Sequence, residues 1–246
     1  MFNEKILNRF KNSTQIAVLT GAGISAESGV PTFRGKDGLW NNYDPQQLAS
    51  PQALSQMPET FWEFYNWRRK KLLGVKPNLG HYALVDMEKL FDDFALITQN
   101  VDNLHREAGN TNIYELHGNI ARTRCEDCQT FIDQPMSFTL DEKVPRCPHC
   151  SGLLRPDVVL FGEMLPQKAF RDAQEASATC EIFLSIGTSS LVEPAASLPY
   201  IAKANGAFLL EINPEKTPLS ASADEVVQGK AGEVLPNLVI QIEKLK

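Results

Sequence analysis

Three observations on the 246-residue sequence predict an α/β fold: a mostly parallel sheet with helices on both faces, plus a small inserted zinc-ribbon and helical domain. The first is a series of short apolar runs that read as strands: Gln15–Thr20, Phe94–Asn100, Ile113–Gly118, Asp157–Gly162, Glu181–Gly187, Ala207–Ile212 and Leu238–Ile242. The second is the set of helical stretches lying among them, at Glu4–Lys11, Pro58–Leu73, Asn78–Leu90, Gln167–Ser177 and Ala195–Ala204. Strands alternating with helices argue for a parallel sheet buried on both sides. The third is a change of character between Ala121 and Leu154, where two C-x-x-C pairs, acids and prolines replace any clear period.

Taken in order, Ile6, Leu7 and Phe10 fall at helical spacing before the first strand. Directly after that strand, Gly21, Gly23 and Ala26 fit the G-x-G-x-x-A pattern of a Rossmann-like dinucleotide turn. Gly21 permits the tight turn, Gly23 a close backbone approach to a pyrophosphate, and Ala26 close packing of the following helix. Free N–H groups at that helix start would favour phosphate. Ser28-Gly29-Val30-Pro31 then interrupts any helix, and Pro31–Gly38 reads as a loop. A hydride-transfer enzyme would instead continue to a second strand ending in an acid, and no strand precedes Asp44. Pro51 suits a first helical turn, and the next helix is strongly aromatic, with Phe61, Trp62, Phe64, Tyr65 and Trp67. Asn103–Ala108 is a short helical turn closed by Gly109.

Composition narrows the function classes. Hydrophobic residues make up 43% and charged residues 22%, as in ordinary globular proteins. A formal charge of −6 with no long basic run gives nucleic-acid binding little electrostatic support. The first ten residues carry charges where a secretion signal needs an apolar run, and no apolar stretch approaches membrane-spanning length. A cytoplasmic protein is expected.

Cys125, Cys128, Cys147 and Cys150 form C-x2-C-x18-C-x2-C, the spacing of a closed four-thiolate zinc site. A segment so poor in apolar residues needs such a staple. Gly21, Gln99, His117, Gly187 and Asn213 all lie at or just beyond predicted strand ends, so they should face one crevice.

The string Thr20–Gly35 (TGAGISAESGVPTFRG), with Leu39-Trp40 after it, resembles the signature of the sirtuin, or Sir2-type, NAD-dependent protein deacylases. Thr98–His105, Leu116–Gly118, Val159–Glu163, Gly187–Pro194, Ile212-Asn213 and Ala231–Pro236 match that family in order across nearly the whole chain. The resemblance implies NAD as a consumed co-substrate and His117 as general base, a task suited to an imidazole with pKa near 7. It places NAD against Gly21, Ala22, Gly23, Ser25, Ala26, Thr32, Phe33, Arg34 and Trp40. Gln99, Asn100, Val101 and Asp102 would line the nicotinamide and ribose pocket; Gly187, Thr188, Ser189, Asn213 and Ala231 would hold the adenosine end. An acyl-lysine protein substrate would enter as an added strand beside Val159 and Phe161, and its acyl group would pass to ADP-ribose as nicotinamide leaves. The NAD-binding domain would comprise 1–34, 78–120 and 155–246, and the small domain 35–77 and 121–154. A monomer without direct nucleic-acid or membrane contacts is expected.

Tyr65 and Arg68 stand at i, i+3 on the aromatic helix, a hydroxyl and a guanidinium that together suit a carboxylate. They match the Y-x-x-R pair of sirtuins that remove succinyl, malonyl or glutaryl groups. Two other functions stay open at this point, a mono-ADP-ribosyltransferase and a non-catalytic NAD-sensing zinc module.

Overall fold

The computed structural model describes residues 2–32 and 44–246. Its elements run α1 (Glu4–Asn12), β1 (Gln15–Thr20), α2 (Pro45–Leu48), α3 (Pro51–Gln56), α4 (Pro58–Leu72), α5 (Leu79–Leu90), β2 (Asp93–Thr98), α6 (Leu104–Ala108) and β3 (Ile113–Glu115). There follow β4 (Gly118–Cys125), β5 (Phe131–Ile132), β6 (Leu154–Val158), α7 (Gln167–Thr179), β7 (Ile182–Ile186), α8 (Leu198–Ala204), β8 (Phe208–Asn213), β9 (Glu225–Gln228) and α9 (Ala231–Glu243).

Six strands form a wholly parallel sheet in the order β3-β2-β1-β7-β8-β9. Alternation along each strand sends side chains to two apolar layers. Ile16, Val18, Leu96, Leu184 and Leu210 pack with residues of α1, α5 and α9 on one face. Ala17, Leu19, Ile97, Phe183 and Leu209 pack with α7 and α8 on the other. The order reverses between β1 and β7, so the crevice beyond their carboxyl ends is the switch point at which such sheets take ligands.

A second sheet, β5-β4-β6, is antiparallel. With α3 and α4 it encloses a separate apolar cluster that includes Phe61, Trp62, Tyr65, Ile120 and Leu154. Among the described residues no helix is long and apolar enough to cross a membrane.

Three expectations are corrected. Leu238–Ile242 is helical, the last part of α9. Leu235, Leu238, Val239 and Ile242 are the residues it buries, an i, i+3, i+4, i+7 stripe. The last parallel strand is instead β9, a short edge strand. Asp157–Gly162 adds no strand to the parallel sheet, because the chain there completes β6 of the small sheet. After Gly21 the chain makes two 3-10 turns, Ala22–Ile24 and Ala26–Ser28, ended by Gly29 in the left-handed region. No α-helix starts there.

Candidate active site

The turn after β1 is held against the end of β7 by backbone alone: Gly21 N–H donates to Ile186 O (3.0 Å) and Gly23 N–H to Gly187 O (2.8 Å). A Cβ on Gly23 would stand 2.7 Å from the Gly187 Cα, and Gly187 itself sits at φ +59°. The glycines are therefore required for this close approach of two loops, whatever else they admit. Ala22 is half-buried, while Ala26 is exposed, so the packing expected of a third small residue is absent.

Predicted residues from four strand ends then meet. Thr188, after β7, accepts Gln99 Nε2 on its hydroxyl and Asn213 Nδ2 on its carbonyl, both at 3.0 Å. Ser189 is half-buried in the same loop. His117 Nδ1 lies 2.9 Å from Gln99 O. A carbonyl only accepts, so the proton is on Nδ1 and the Nε2 lone pair is left free. Burial lowers the pKa of His117 below the ordinary imidazole value, and the bond to Gln99 opposes the shift. The ring is neutral near pH 7. Ala231 is buried at the start of α9, whose Gly232 N–H donates to Glu27 of the glycine turn (2.7 Å).

Asn100 and Asp102 are fixed by a directional hydrogen-bond chain. Asn78 N–H donates to His81 Nδ1 (3.2 Å), so the His81 proton sits on Nε2, facing Ser25 Oγ at 3.4 Å. Ser25 in turn donates to Asp102 Oδ2 (2.7 Å). Asn100 Nδ2 donates to Gly21 O (3.0 Å) and Ser25 Oγ (3.2 Å), which leaves Oδ1 for a ligand. Burial raises the Asp102 carboxyl against the opposing pull of Leu104 N–H and Ser25. Burial also pushes His81 down to about 4, and His105, whose ring lies 4.9 Å away, falls well below its ordinary value.

His81 and His105 are the site residues that sequence reasoning missed. His105 reaches Thr20 Oγ1 (3.0 Å), and Thr20 bonds Thr98, which receives Asn100 N–H (3.1 Å). The Asn78-x-x-His81 capping box at the start of α5 was the available signal.

A mostly apolar cleft joins this crevice to α4, lined by Ala22, Pro31, Arg68, Asn100, Val101 and Asp102 among others. Arg68 is half-buried, its guanidinium 5.6 Å from the Tyr65 ring centre. Burial pushes the Tyr65 hydroxyl up to about 12, with the Arg68 charge working against it. Val159 N–H donates to His117 O (2.9 Å), and Phe161, 41% exposed, is tied by its N–H to Ala49 O (2.8 Å). Thr32 is half-buried. Phe33, Arg34 and Trp40 lie outside the described residues.

Residues 21–194 match the model of the Sir2 family. The chain belongs to the Sir2 family. A Pyrococcus furiosus protein named NAD-dependent protein deacylase is 50% identical to this sirtuin, over 96% of this chain and 95% of its own. A Sir2 homologue variant in complex with 2′-O-acetyl ADP ribose superposes with a TM-score of 0.92 at 45% identity, covering 99% of this sirtuin and 97% of its own chain. A Sir2–p53 peptide–NAD+ structure does so with a TM-score of 0.88 at 33% identity, covering 98% of both.

The cysteines of this sirtuin offer a complete donor set. The four sulfurs all lie within 4.8 Å of one another, with Cys125 and Cys150 3.5 Å apart and Cys128 and Cys147 3.8 Å apart. Four sulfurs at about 2.3 Å from a tetrahedral zinc would stand about 3.8 Å apart. The set fits one structural zinc.

Proposed function

We propose that this sirtuin is an NAD-dependent protein-lysine deacylase that removes acetyl and acidic acyl groups, succinyl and malonyl among them, in the cytoplasm. The observation that carries the reading is His117, neutral and oriented by Gln99, at the mouth of a crevice closed on its other side by the glycine turn. NAD, as co-substrate, supplies the bond whose cleavage releases nicotinamide and the ADP-ribose that accepts the acyl group. His117 takes a ribose hydroxyl proton on Nε2. Gly21, Ala22, Gly23, Ser25 and Thr32 hold the phosphates and adjoining ribose, helped by Phe33, Arg34 and Trp40. Asn100 offers its free Oδ1 and Asp102 its buried carboxyl to the nicotinamide end, with Gln99 and Val101 beside them. Gly187, Thr188, Ser189, Asn213 and Ala231 form the adenosine end. The named complexes of relatives with NAD+, a peptide and 2′-O-acetyl ADP ribose support this assignment. The substrate peptide adds a strand beside Val159 and Phe161. The chain divides at 35–77 and 121–154 into a small domain set against the NAD-binding remainder.

Acyl choice falls to Tyr65 and Arg68. Arg68 lines a cleft shared with Asn100 and Asp102 and rests against the buried Tyr65 ring; this supports the reading, since an acyl chain there would point its carboxylate at the guanidinium fork. Peptides of one sequence carrying acetyl-, succinyl- or malonyl-lysine, assayed with NAD, test it. Arg68→Met should lower the succinyl-to-acetyl ratio of kcat/KM by about 30- to 1,000-fold, the cost of one lost charge-assisted bidentate contact. Tyr65→Phe should act in the same direction and more weakly. An unchanged ratio would show that acyl groups are chosen elsewhere.

A further inference from the structure

Arg68 and Arg69 are neighbours in sequence with opposite surroundings. Successive helical residues project about 100° apart, so Arg68 reaches the cleft while Arg69 turns into the protein and is wholly buried. Arg69 has no ion pair among the described residues. All its bonds go to neutral oxygens of the small sheet and its insertion: Nε to Ile120 O (3.0 Å), Nη2 to Arg122 O (3.0 Å) and Thr123 Oγ1 (2.9 Å), Nη1 to Thr139 Oγ1 (2.7 Å). Its guanidinium stands 5.4 Å from the Trp62 ring centre, and Trp62 Nε1 donates to Leu154 O (3.1 Å). Asn66 Nδ2 donates to Thr139 O (2.8 Å) and Glu142 O (3.3 Å). One face of α4 is thereby keyed to β4, β6 and the turn Met136–Thr139.

We propose that Arg69 is a positioning residue for acidic-acyl selection: it fixes the rotation and depth of α4, and so the place where Arg68 meets the acyl carboxylate. The inference rests on the reading of Tyr65 and Arg68 given above. Burying a cation without a carboxylate is costly, and Arg69 is pushed down to about 10 by that burial. A core needing only volume would hold a leucine or methionine there. What the guanidinium adds is a rigid planar fork that four acceptors on β4 and the turn can address at once, which an ammonium cannot reproduce. Its own turn of helix carries Tyr65 and Arg68, and a carboxylate clamp displaced by about 1 Å loses on the order of 100-fold. Acetyl-lysine makes no contact with that clamp.

The test compares wild type, Arg69→Lys and Arg68→Met on succinyl- and acetyl-lysine peptides of one sequence, reading kcat and KM separately. Far-UV circular dichroism and zinc content report folding. Arg69→Lys should raise KM for the succinyl peptide about 10-fold, with acetyl KM and both kcat values within about 2-fold of wild type. Should Arg69→Lys fail to fold, the double variant Thr123→Val, Thr139→Val keeps the guanidinium and removes two of its acceptors. It should raise succinyl KM alone by about 3-fold. Equal losses on both peptides, or no change on either, would make Arg69 a structural anchor only and overturn the proposal. An unchanged ratio in Arg68→Met would remove the acyl reading, and this inference with it.

Discussion

The two sheets of this sirtuin solve the same problem by different means. The parallel sheet is stabilised by apolar area: β7 is buried along its whole length, and apolar side chains from both faces of the sheet pack against two helical layers. The antiparallel sheet has three strands, one of only two residues. It buries two whole arginines instead, Arg69 on neutral oxygens and Arg155 against Glu163 and Glu126, and gathers four thiols. Where apolar residues are too few to order a segment, directional bonds and a metal take their place. The crevice at the carboxyl ends of the parallel strands belongs to the first kind of structure, and helix α4 leans on the second.

The largest expected effect separates the two sheets directly. Cys147→Ser should abolish the tetrahedral site and, with it, the order of β4–β6. Zinc in small modules contributes on the order of 10 kcal/mol. Hydrogen exchange should accelerate in β4, β5 and β6 while β1 and β7 remain protected. Equal acceleration in all five would show that the sheets unfold as one unit.

Leu184→Ala strikes the parallel sheet from within, since Leu184 is fully buried on β7. It should cost about 3 kcal/mol in denaturant unfolding, with zinc content unaltered. Loss of zinc in the folded variant would show that the two sheets are not stabilised independently.

Acid should weaken the crevice side through His81. Its pKa is about 4 in the folded chain, against 6.5 as the ordinary value. The unfolded chain therefore binds this proton more readily, so stability present above pH 6.5 is lost as pH falls toward 4, about 3 kcal/mol in all. His81→Asn should flatten the stability profile in that window. An undiminished slope in the variant would assign the acid sensitivity to other groups.

Much of the fold was legible because strands buried on two faces leave continuous apolar runs, as β1, β2, β7 and β8 do. The edge strand β9 was not, since Glu225-Val226-Val227-Gln228 is short, polar at both ends and half-exposed over most of its length. Leu238–Ile242 imitated a strand because its β-branched pair Val239-Ile240 concealed the helical stripe that begins at Leu235. The strand β6 begins before Asp157 and contains Pro156, which is accommodated because β6 is an edge strand. Within the site, the residues at strand ends were legible by position. Their supports were less so: apart from the local capping bond of His81 to Asn78, His81 reaches Ser25, His105 reaches Thr20 and Arg69 reaches Ile120, each across 51 or more residues of sequence.

The most direct test of the catalytic account is the fate of the acyl group. An acetyl-lysine peptide incubated with the enzyme and NAD should yield nicotinamide, deacylated peptide and O-acetyl-ADP-ribose in equal amounts by mass spectrometry. His117→Ala should yield neither deacylated peptide nor O-acetyl-ADP-ribose while still binding NAD. A peptide that gains the mass of ADP-ribose, or free acetate released with NAD intact, would contradict transfer of the acyl group to ADP-ribose under His117.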